Sequence, residues 1–280
     1  MSGPLLAARD IGLGYQREQG WHSVLEHFDL QLQPGEVVSI LGPSGVGKSS
    51  LLRVLAGLQQ PHRGSVSLLG EPLNGPHPRV AVAFQDPSLL PWLTLENNVA
   101  FGLDFARQPK LSREERQARI DHAINAVGLH HARQQHPAQL SGGMAQRTAL
   151  ARCLARQPQV LLLDEPFGAL DEVTRADMQQ LLLQVIAEHD TAAVLITHDI
   201  DEALLLSERI LLLGNSPART LGQWRIDFPQ PRAELVDELG ALRIDILKTL
   251  RRASRNPLTQ PLPEPSEIDH VPGRLHPHAS

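Results

Sequence analysis

Residues 37–55 read VVSILGPSGVGKSSLLRVL, and this stretch decides the fold. It opens with VVSIL, a compact run with β-branched residues that is typical of a buried strand. GPSGVGKS at 42–49 follows and matches G-x-x-x-x-G-K-[ST], a pattern whose glycines allow backbone amides to wrap phosphate groups. The apolar residues after the loop continue as a helix. A buried strand, a phosphate-binding loop and a helix in this order predict a nucleotide-binding α/β domain.

The end of this loop carries specific chemistry. Lys48 is expected to bridge the β and γ oxygens of a nucleoside triphosphate, and the Ser49 hydroxyl to bind Mg²⁺. Lys48 is one of three lysines in a chain that otherwise uses arginine for positive charge, so a generic surface lysine or a chance glycine-rich turn is the weaker interpretation. The residues predicted to bind nucleotide here are Gly42, Pro43, Ser44, Gly45, Val46, Gly47, Lys48, Ser49 and Ser50.

Around this stretch, short apolar runs alternate with helix-like segments. The buried-strand candidates are VAVAF at 80–84, VLLLD at 160–164, AAVLIT at 192–197 and RILLL at 209–213. Upstream, LLAARDIGL near 5–13 and SVLEHFDLQL at 23–32 have the pattern of half-buried antiparallel strands. The order predicts an α/β core with a parallel sheet, preceded by an antiparallel β subdomain.

The buried-strand signal disappears between residues 87 and 139. Ser112 followed by Glu115 makes a capping box, apolar residues then recur at helical spacing, and Gly128 stands where a helix would end. The sequence therefore predicts a helical subdomain inserted at about 87–157, within a nucleotide-binding domain of residues 1–220.

The remaining residues divide into two parts. Residues 221–254 are predicted as a helical extension, because 233–252 has helical spacing; this helix could pack on the domain or on a partner. Residues 255–280 are rich in proline and lack apolar periodicity, which indicates a disordered tail. The tail also carries three histidines, which leaves a weak metal site as an alternative: His270, His276 and His278.

Composition limits the functions to consider. With 41% hydrophobic residues in 280, the chain can bury a sizeable core, and a net charge of −5 offers no basic field for nucleic acid or anionic lipid. The single cysteine, Cys153, excludes an intramolecular disulfide and is expected to be a small buried residue of a helix. The chain has neither a signal peptide pattern nor an 18-residue apolar window, which favours the cytosol unless a partner holds it at a membrane.

A pair of acids follows the apolar run VLLLDE at 160–165. Two acids at the end of a strand can also be solvated residues without a catalytic role. Together with the phosphate loop, however, they favour catalysis: Asp164 would hold the Mg²⁺ shell and Glu165 would act as general base on the attacking water. These parts predict an NTPase without saying of which kind.

LSGGMAQR at 140–147 is a second phosphate-binding turn, because two glycines and a capping hydroxyl at a helix start can hold an anion. With the loop, VLLLDE and the spacing between them, it resembles the ATP-binding cassette (ABC) family of transporter ATPases over roughly residues 5–220. The resemblance implies that two such chains face each other head to tail. Ser141, Gly142 and Gly143 of one chain would then cover the γ-phosphate held by the other, so the expected cofactors are ATP and Mg²⁺ and the expected partner is a second copy.

Further positions match this family one by one. The resemblance implies that Gln85 senses Mg²⁺ and the attacking water. The residues expected to bind Mg²⁺ are therefore Ser49, Gln85 and Asp164. His198 in LITHD would contact the γ-phosphate, and Asp171 in GALD would lie in a loop that crosses the dimer interface. Tyr15, the only tyrosine, would stack on adenine, with ordinary packing as its alternative. Cys153 departs from the family pattern, which usually has a small residue at this position of the helix.

The segments LLPWLTLENNVAFGL and LLLDEPFGALD resemble those of importer ATPases for nitrate, aliphatic sulfonates and taurine. The resemblance implies a groove near Leu89, Leu90, Pro91 and Trp92 that receives a transmembrane permease subunit. The chain would lie on the cytoplasmic face of the inner membrane and act indirectly with a periplasmic substrate-binding protein. Nucleic acid is not an expected partner. The transported substrate is not readable from this chain: nitrate, a sulfonate, taurine and a small heterocycle such as a thiamine precursor all stay open.

A different class of function stays open. Some ABC ATPases serve no transporter and act on cytosolic complexes, but this chain has one cassette, no long coiled-coil insertion and no basic field. A nucleotide-gated interaction protein without turnover would be expected to lack Glu165 or His198, and both are present.

Overall fold

The computed structural model describes residues 3–17, 20–232 and 234–255, so the tail predicted at 255–280 lies, from residue 256 on, outside the described residues. The strands are β1 (Leu6–Arg17), β2 (Gly20–Leu32), β3 (Val37–Leu41), β4 (Arg63–Leu68), β5 (Glu71–Pro72), β6 (Val80–Ala83), β7 (Val160–Asp164), β8 (Ala192–Ile196), β9 (Arg209–Gly214) and β10 (Arg219–Arg225). The α-helices are α1 (Lys48–Leu55), α2 (Leu95–Ala100), α3 (Arg113–Ala126), α4 (Gly142–Leu154), α5 (Glu172–His189), α6 (Ile200–Leu206) and α7 (Val236–Arg255).

Two sheets build the core. The first is antiparallel in the order β2-β1-β4-β5, and the second has the order β10-β9-β3-β8-β7-β6. Within the second sheet β9, β3, β8, β7 and β6 run parallel, and β10 closes one edge antiparallel to β9. This confirms the predicted architecture, an α/β core with a parallel sheet, an N-terminal antiparallel β subdomain and a helical insertion.

Three strands escaped prediction because they lack a strong apolar pattern. In β4 the first three residues are exposed, β5 is two residues long, and β10 is polar and lies at an edge. Since β10 spans 219–225, the second sheet continues past residue 220, where the predicted domain ends.

The parallel sheet buries both of its faces, which explains its continuous apolar runs. Val38 and Ile40 of β3 face a core shared with α1 and the antiparallel sheet. Leu161 and Leu163 of β7 face the opposite core, shared with the helices α2 to α5. Burying one such side chain contributes about 1.5–3 kcal/mol. This double burial fixes the strand register and therefore the positions of the residues that follow each strand.

The helical insertion has the predicted ends. The Ser112 hydroxyl accepts from the Glu115 amide while the Glu115 carboxylate accepts from the Ser112 amide, which confirms the capping box of α3. Gly128 follows the C-cap of that helix with φ of 68°, a left-handed conformation that favours glycine. Helix α4 follows, and LSGGMAQR at 140–147 lies at its start. We call this sequence the signature sequence, its residues Ser141, Gly142 and Gly143 the signature turn, and α4 the signature helix.

Helix α7 packs on the domain, which was one of the two possibilities for the segment 233–252. Leu239 and Ile246 are buried in a core shared with α6, β9 and β10. Arg243 forms two hydrogen bonds to Asp201, at 2.6 and 3.1 Å. None of the helices in the described part of the chain is both long and apolar enough to cross a membrane.

Candidate functional site

A cavity of about 530 Å³ lies where β3, β7 and β8 end. Parallel strands present their carboxyl ends at one edge of the sheet, so residues distant in sequence meet there. Its polar lining comes from the phosphate loop and from the residues after β6, β7 and β8: Gly42, Pro43, Ser44, Gly45, Lys48, Ser49, Gln85, Asp164, Glu165 and His198. The structure therefore gathers most of the predicted site residues in one place.

The loop needs its last glycine. Gly47 is the N-cap of α1 with φ of 98°, and a Cβ atom added there would lie 2.8 Å from Cγ1 of Val24. Both the backbone conformation and the close contact exclude a larger residue. Gly47 thus lets the loop turn directly into the amino terminus of α1, where backbone amides favour anions.

Lys48 occupies the centre of the loop. Its side chain is buried, and Nζ donates to the carbonyl oxygens of Gly42 at 2.8 Å and Pro43 at 2.9 Å. Burial lowers the pKa of Lys48, whereas the nearby carboxylates of Glu165 and Asp164 act in the opposite direction. An ammonium held by two carbonyls inside the loop can exchange them for phosphate oxygens.

Asp164 lies beside Ser49 on the cavity floor and is 4% exposed. Burial raises the pKa of the Asp164 carboxyl, and the Ser49 hydroxyl and Lys48 oppose this shift. The oxygens of Ser49, Gln85 and Asp164 are hard donors that fit Mg²⁺. Across the residues the structure describes, no three His, Cys, Asp or Glu side chains form a metal-ligating group, so a cation here would also depend on phosphate oxygens and water.

Glu165 is held by contacts on both sides of its carboxylate. Oε2 accepts from Nε2 of Gln85 at 3.2 Å, and Oε1 lies 3.3 Å from Nδ1 of His198. Its backbone has φ of 47°, and its amide donates to the carbonyl of Ile196 at 2.8 Å. An amide and an imidazole thus orient a partly exposed carboxylate that faces the cavity, which is the arrangement a general base requires.

A second cavity, of about 360 Å³, contains Tyr15 and adjoins the first. Gly45 lines both cavities, while Val46, Gly47 and Ser50 line the second. Tyr15 is 44% exposed, and its ring also packs near His22, with centroids 5.0 Å apart, and near Arg17, whose Cζ lies 4.9 Å from the ring centroid. The two cavities together offer room for phosphates at one end and an aromatic surface at the other.

The signature turn lies outside both cavities. Ser141 caps α4 by accepting from the Met144 amide at 3.2 Å, and Ser141 and Gly142 are exposed. Gly143 is close to the GALD loop, since an added Cβ would lie 3.2 Å from Cδ2 of Leu170. Asp171 caps α5, accepting from the Thr174 amide and hydroxyl, and is also exposed. Within one chain, these residues do not meet the phosphate loop.

An apolar surface lies on the loop before α2. Trp92 is 70% exposed, Pro91 is exposed, and Leu89 and Leu90 are half-buried. The fully buried Asn98 holds this loop: its Oδ1 accepts from the Leu90 amide at 2.8 Å, and its Nδ2 donates to the Leu90 carbonyl at 3.1 Å. The loop is therefore fixed while its apolar side chains face outward.

Sequence reasoning missed several site residues. Leu41, Ile200 and Leu250 also line the first cavity, and the last of these comes from α7. Gln146 of α4 is 6% exposed, and its Nε2 donates to the Glu165 carbonyl at 2.7 Å. These contacts join distant segments and leave no local pattern in the sequence.

Comparisons with known proteins agree with this geometry. A family model described as "ABC transporter" matches residues 25–168. The bicarbonate transport ATP-binding protein of Synechococcus elongatus is 49% identical over 212 residues, which cover 75% of this chain and 32% of that protein. The nitrate import ATP-binding protein of the same organism is 44% identical over 84% of this chain and 37% of that protein. The chain thus spans about a third of the length of these relatives.

Two further matches cover more of the partner protein. An aliphatic sulfonates import ATP-binding protein of Burkholderia lata is 46% identical over 233 residues, or 83% of each chain. Among solved structures, a dimeric ATP-binding cassette in a post-hydrolysis state, bound to ADP and phosphate, matches with a TM-score of 0.73 and 30% identity. The match covers 80% of this chain and 100% of that one.

Proposed function

Because the chain belongs to the ABC transporter family and carries the ATPase cassette of that family, we propose that it is the ATP-hydrolysing subunit of a bacterial importer. The observation that carries the proposal is the convergence of Lys48, Asp164, Glu165 and His198 on the cavity beside the phosphate loop. A binding protein without turnover would not need a carboxylate oriented by both Gln85 and His198.

Nucleotide binding would use both cavities. The amides of the phosphate loop and Lys48 bind the β- and γ-phosphates, and the Tyr15 ring stacks on adenine. Ser49, Asp164 and Gln85 would hold Mg²⁺, which would neutralise charge on the phosphates. Burial raises the pKa of the Asp164 carboxyl, and a bound cation would favour its charged form.

Hydrolysis would proceed from the Glu165 carboxylate. A water between this group and the γ-phosphate loses a proton to the carboxylate as its oxygen bonds to phosphorus, and the bond from phosphorus to the ADP oxygen breaks. Gln85 and His198 keep Glu165 in place, and the exposed His198 would contact the γ-phosphate as charge develops.

The active form would be a head-to-tail pair. Ser141 and the amides of Gly142 and Gly143 would form an anion site at the start of α4, and these residues do not line the chain's own cavity. In the pair, this turn covers the γ-phosphate bound by the partner's phosphate loop, and Asp171 lies in the contact. The dimeric state of the similar cassette bound to ADP and phosphate supports this arrangement.

The other partners follow from the relatives. The exposed surface of Leu89, Leu90, Pro91 and Trp92 would receive a permease subunit, which would hold the chain at the cytoplasmic face of the inner membrane. A periplasmic binding protein would deliver the substrate to that permease. The relatives named for bicarbonate, nitrate and aliphatic sulfonates share small anions, so we expect a small anion, with taurine also in this class.

A pull-down tests the proposal. Tagged Glu165→Gln protein is mixed with ATP and Mg²⁺ and detergent-solubilised native membranes, and bound proteins are identified by mass spectrometry. A multi-span permease among them is the expected result. Recovery of only soluble complexes would overturn the importer assignment and favour the cytosolic ABC ATPase. The Lys48→Ala variant, which lacks the buried ammonium, is the control for dependence on nucleotide.

The permease surface has its own test. Replacing Leu90 and Trp92 with aspartate should abolish permease co-purification and transport while ATP hydrolysis by the isolated chain continues. The control is Leu58→Asp, because Leu58 is 50% exposed and lies outside this surface. Unchanged co-purification of the permease by the double variant would refute the assignment.

A further inference from the structure

Gln146 connects three segments that carry different parts of the site. It lies on α4, whose first turn is the signature sequence. Its Nε2 donates to the Glu165 carbonyl at 2.7 Å, and its Oε1 accepts from the Ala169 amide at 3.0 Å. Ala169 belongs to the GALD loop, so one side chain joins the signature helix, the backbone of Glu165 and the loop that precedes Asp171.

The contact acts on an unusual piece of backbone. Glu165 has φ of 47°, a left-handed conformation that residues with a Cβ adopt only when their surroundings hold them there. Its amide is fixed by the Ile196 carbonyl at 2.8 Å, and its carbonyl by Gln146 at 2.7 Å and, less closely, by the Gly168 amide at 3.3 Å. Without Gln146, the Glu165 carbonyl would keep only the longer hydrogen bond from the Gly168 amide.

The backbone conformation sets where the carboxylate lies. Glu165 reaches Gln85 at 3.2 Å and His198 at 3.3 Å, and both distances depend on the direction in which its Cα–Cβ bond leaves the chain. A shift of about 1 Å in a catalytic group can reduce the rate about 10²-fold. Gln146 is only 6% exposed, so water does not readily replace its two hydrogen bonds.

We propose that Gln146 is a positioning residue that ties the placement of the signature helix to the geometry of the Glu165 carboxylate. The inference rests on the proposed ATPase. A movement of α4, such as the partner's γ-phosphate would cause at Ser141, reaches Glu165 and the GALD loop through this side chain. Each chain would then link its signature turn, which completes the ATP site of the partner, to Glu165, the general base of its own ATP site.

The chemistry of the amide provides a sharp test, because Gln146 must donate and accept at once. In the Gln146→Leu variant both bonds are lost. In the Gln146→Glu variant an ionised carboxylate cannot donate to the Glu165 carbonyl, whereas the protonated acid restores both bonds in nearly the same shape. Burial raises the pKa of a carboxyl group at such a position, which brings its titration toward neutral pH.

The experiment measures kcat and KM for ATP from pH 6 to 8.5, binding of a fluorescent ATP analogue, and thermal unfolding. At pH 8 we expect both variants to lose at least about tenfold in kcat, with nucleotide affinity unchanged within about threefold. The ratio of Gln146→Glu to wild-type kcat should rise several-fold toward pH 6, and that of Gln146→Leu should not. The control is Thr148→Val, which removes the bond from the fully buried Thr148 hydroxyl to the Met144 carbonyl within the same helix.

The outcomes separate the two proposals. Wild-type protein without ATP hydrolysis would overturn the proposed function and this inference with it. An active wild type whose Gln146→Leu variant keeps kcat within about twofold would overturn the inference alone. So would a Gln146→Glu variant whose kcat ratio to wild type does not change with pH, or a Thr148→Val control with an equal loss of kcat.

Discussion

Replacing Glu165 with glutamine should stop hydrolysis while leaving ATP binding intact. Glutamine has the size of glutamate, and its oxygen can still accept from Gln85 Nε2, 3.2 Å away in the native site. The loop and Lys48, which we propose to bind the phosphates, do not contact the changed atoms through a hydrogen bond. What the variant loses is the capacity to take a proton from water.

The size of the effect follows from that loss. A positioned general base contributes about 10²–10⁴-fold to the rate, which corresponds to about 3–5 kcal/mol of transition-state stabilisation. The neighbouring Gln85 does not replace it, because an amide cannot accept the proton. We therefore expect kcat to fall by at least about a hundredfold with ATP affinity changed by less than about threefold.

The assay is phosphate release under saturating ATP and Mg²⁺, combined with equilibrium binding of a fluorescent ATP analogue. Glu188→Gln is the matched control, because Glu188 is an exposed acid in the last turn of α5, just before β8 begins, and it does not line the cavity. The general-base assignment would be refuted by a Glu165→Gln variant whose turnover stays within about tenfold of wild type. A variant that no longer binds ATP would show that Glu165 acts in binding instead.

Three further predictions concern other residues. Tyr15→Ala should weaken ATP binding by about 1 kcal/mol or more, read as a rise in the dissociation constant, whereas Tyr15→Phe should keep the stacking surface and the affinity. Burial raises the pKa of the Cys153 thiol from its ordinary 9.0 to about 11, so the folded state keeps its proton where the unfolded chain loses it. Stability measured by urea unfolding should therefore fall between pH 9 and 11 relative to Cys153→Ala. Ile246→Ala, at a fully buried position of α7, should cost about 2–4 kcal/mol in urea unfolding, while Ile244→Ala, 53% exposed on the same helix, should cost less than about 0.5 kcal/mol.

The sequence was most informative where chemistry depends on neighbours along the chain. The phosphate loop needs its glycines in fixed order, and the acids after β7 follow an apolar run, so both could be predicted and placed at one sheet edge. Gln146 could not be identified in this way, because its partners are backbone groups of Glu165 and Ala169, which every residue possesses. Similarly, the contribution of Leu250 to the cavity depends on how α7 packs across the domain.

The position of the signature turn outside its own chain's cavity has a consequence for inheritance. Suppose that a cell makes two altered forms of the chain, one without the Lys48 ammonium and one without the Ser141 hydroxyl. In a mixed pair of the proposed head-to-tail form, both lesions would fall in the same composite site, because one chain would supply the loop and the other the turn. The second site then contains an intact loop and an intact turn. Two alleles that each fail alone should therefore partly complement one another, whereas two alleles that both alter the phosphate loop should not.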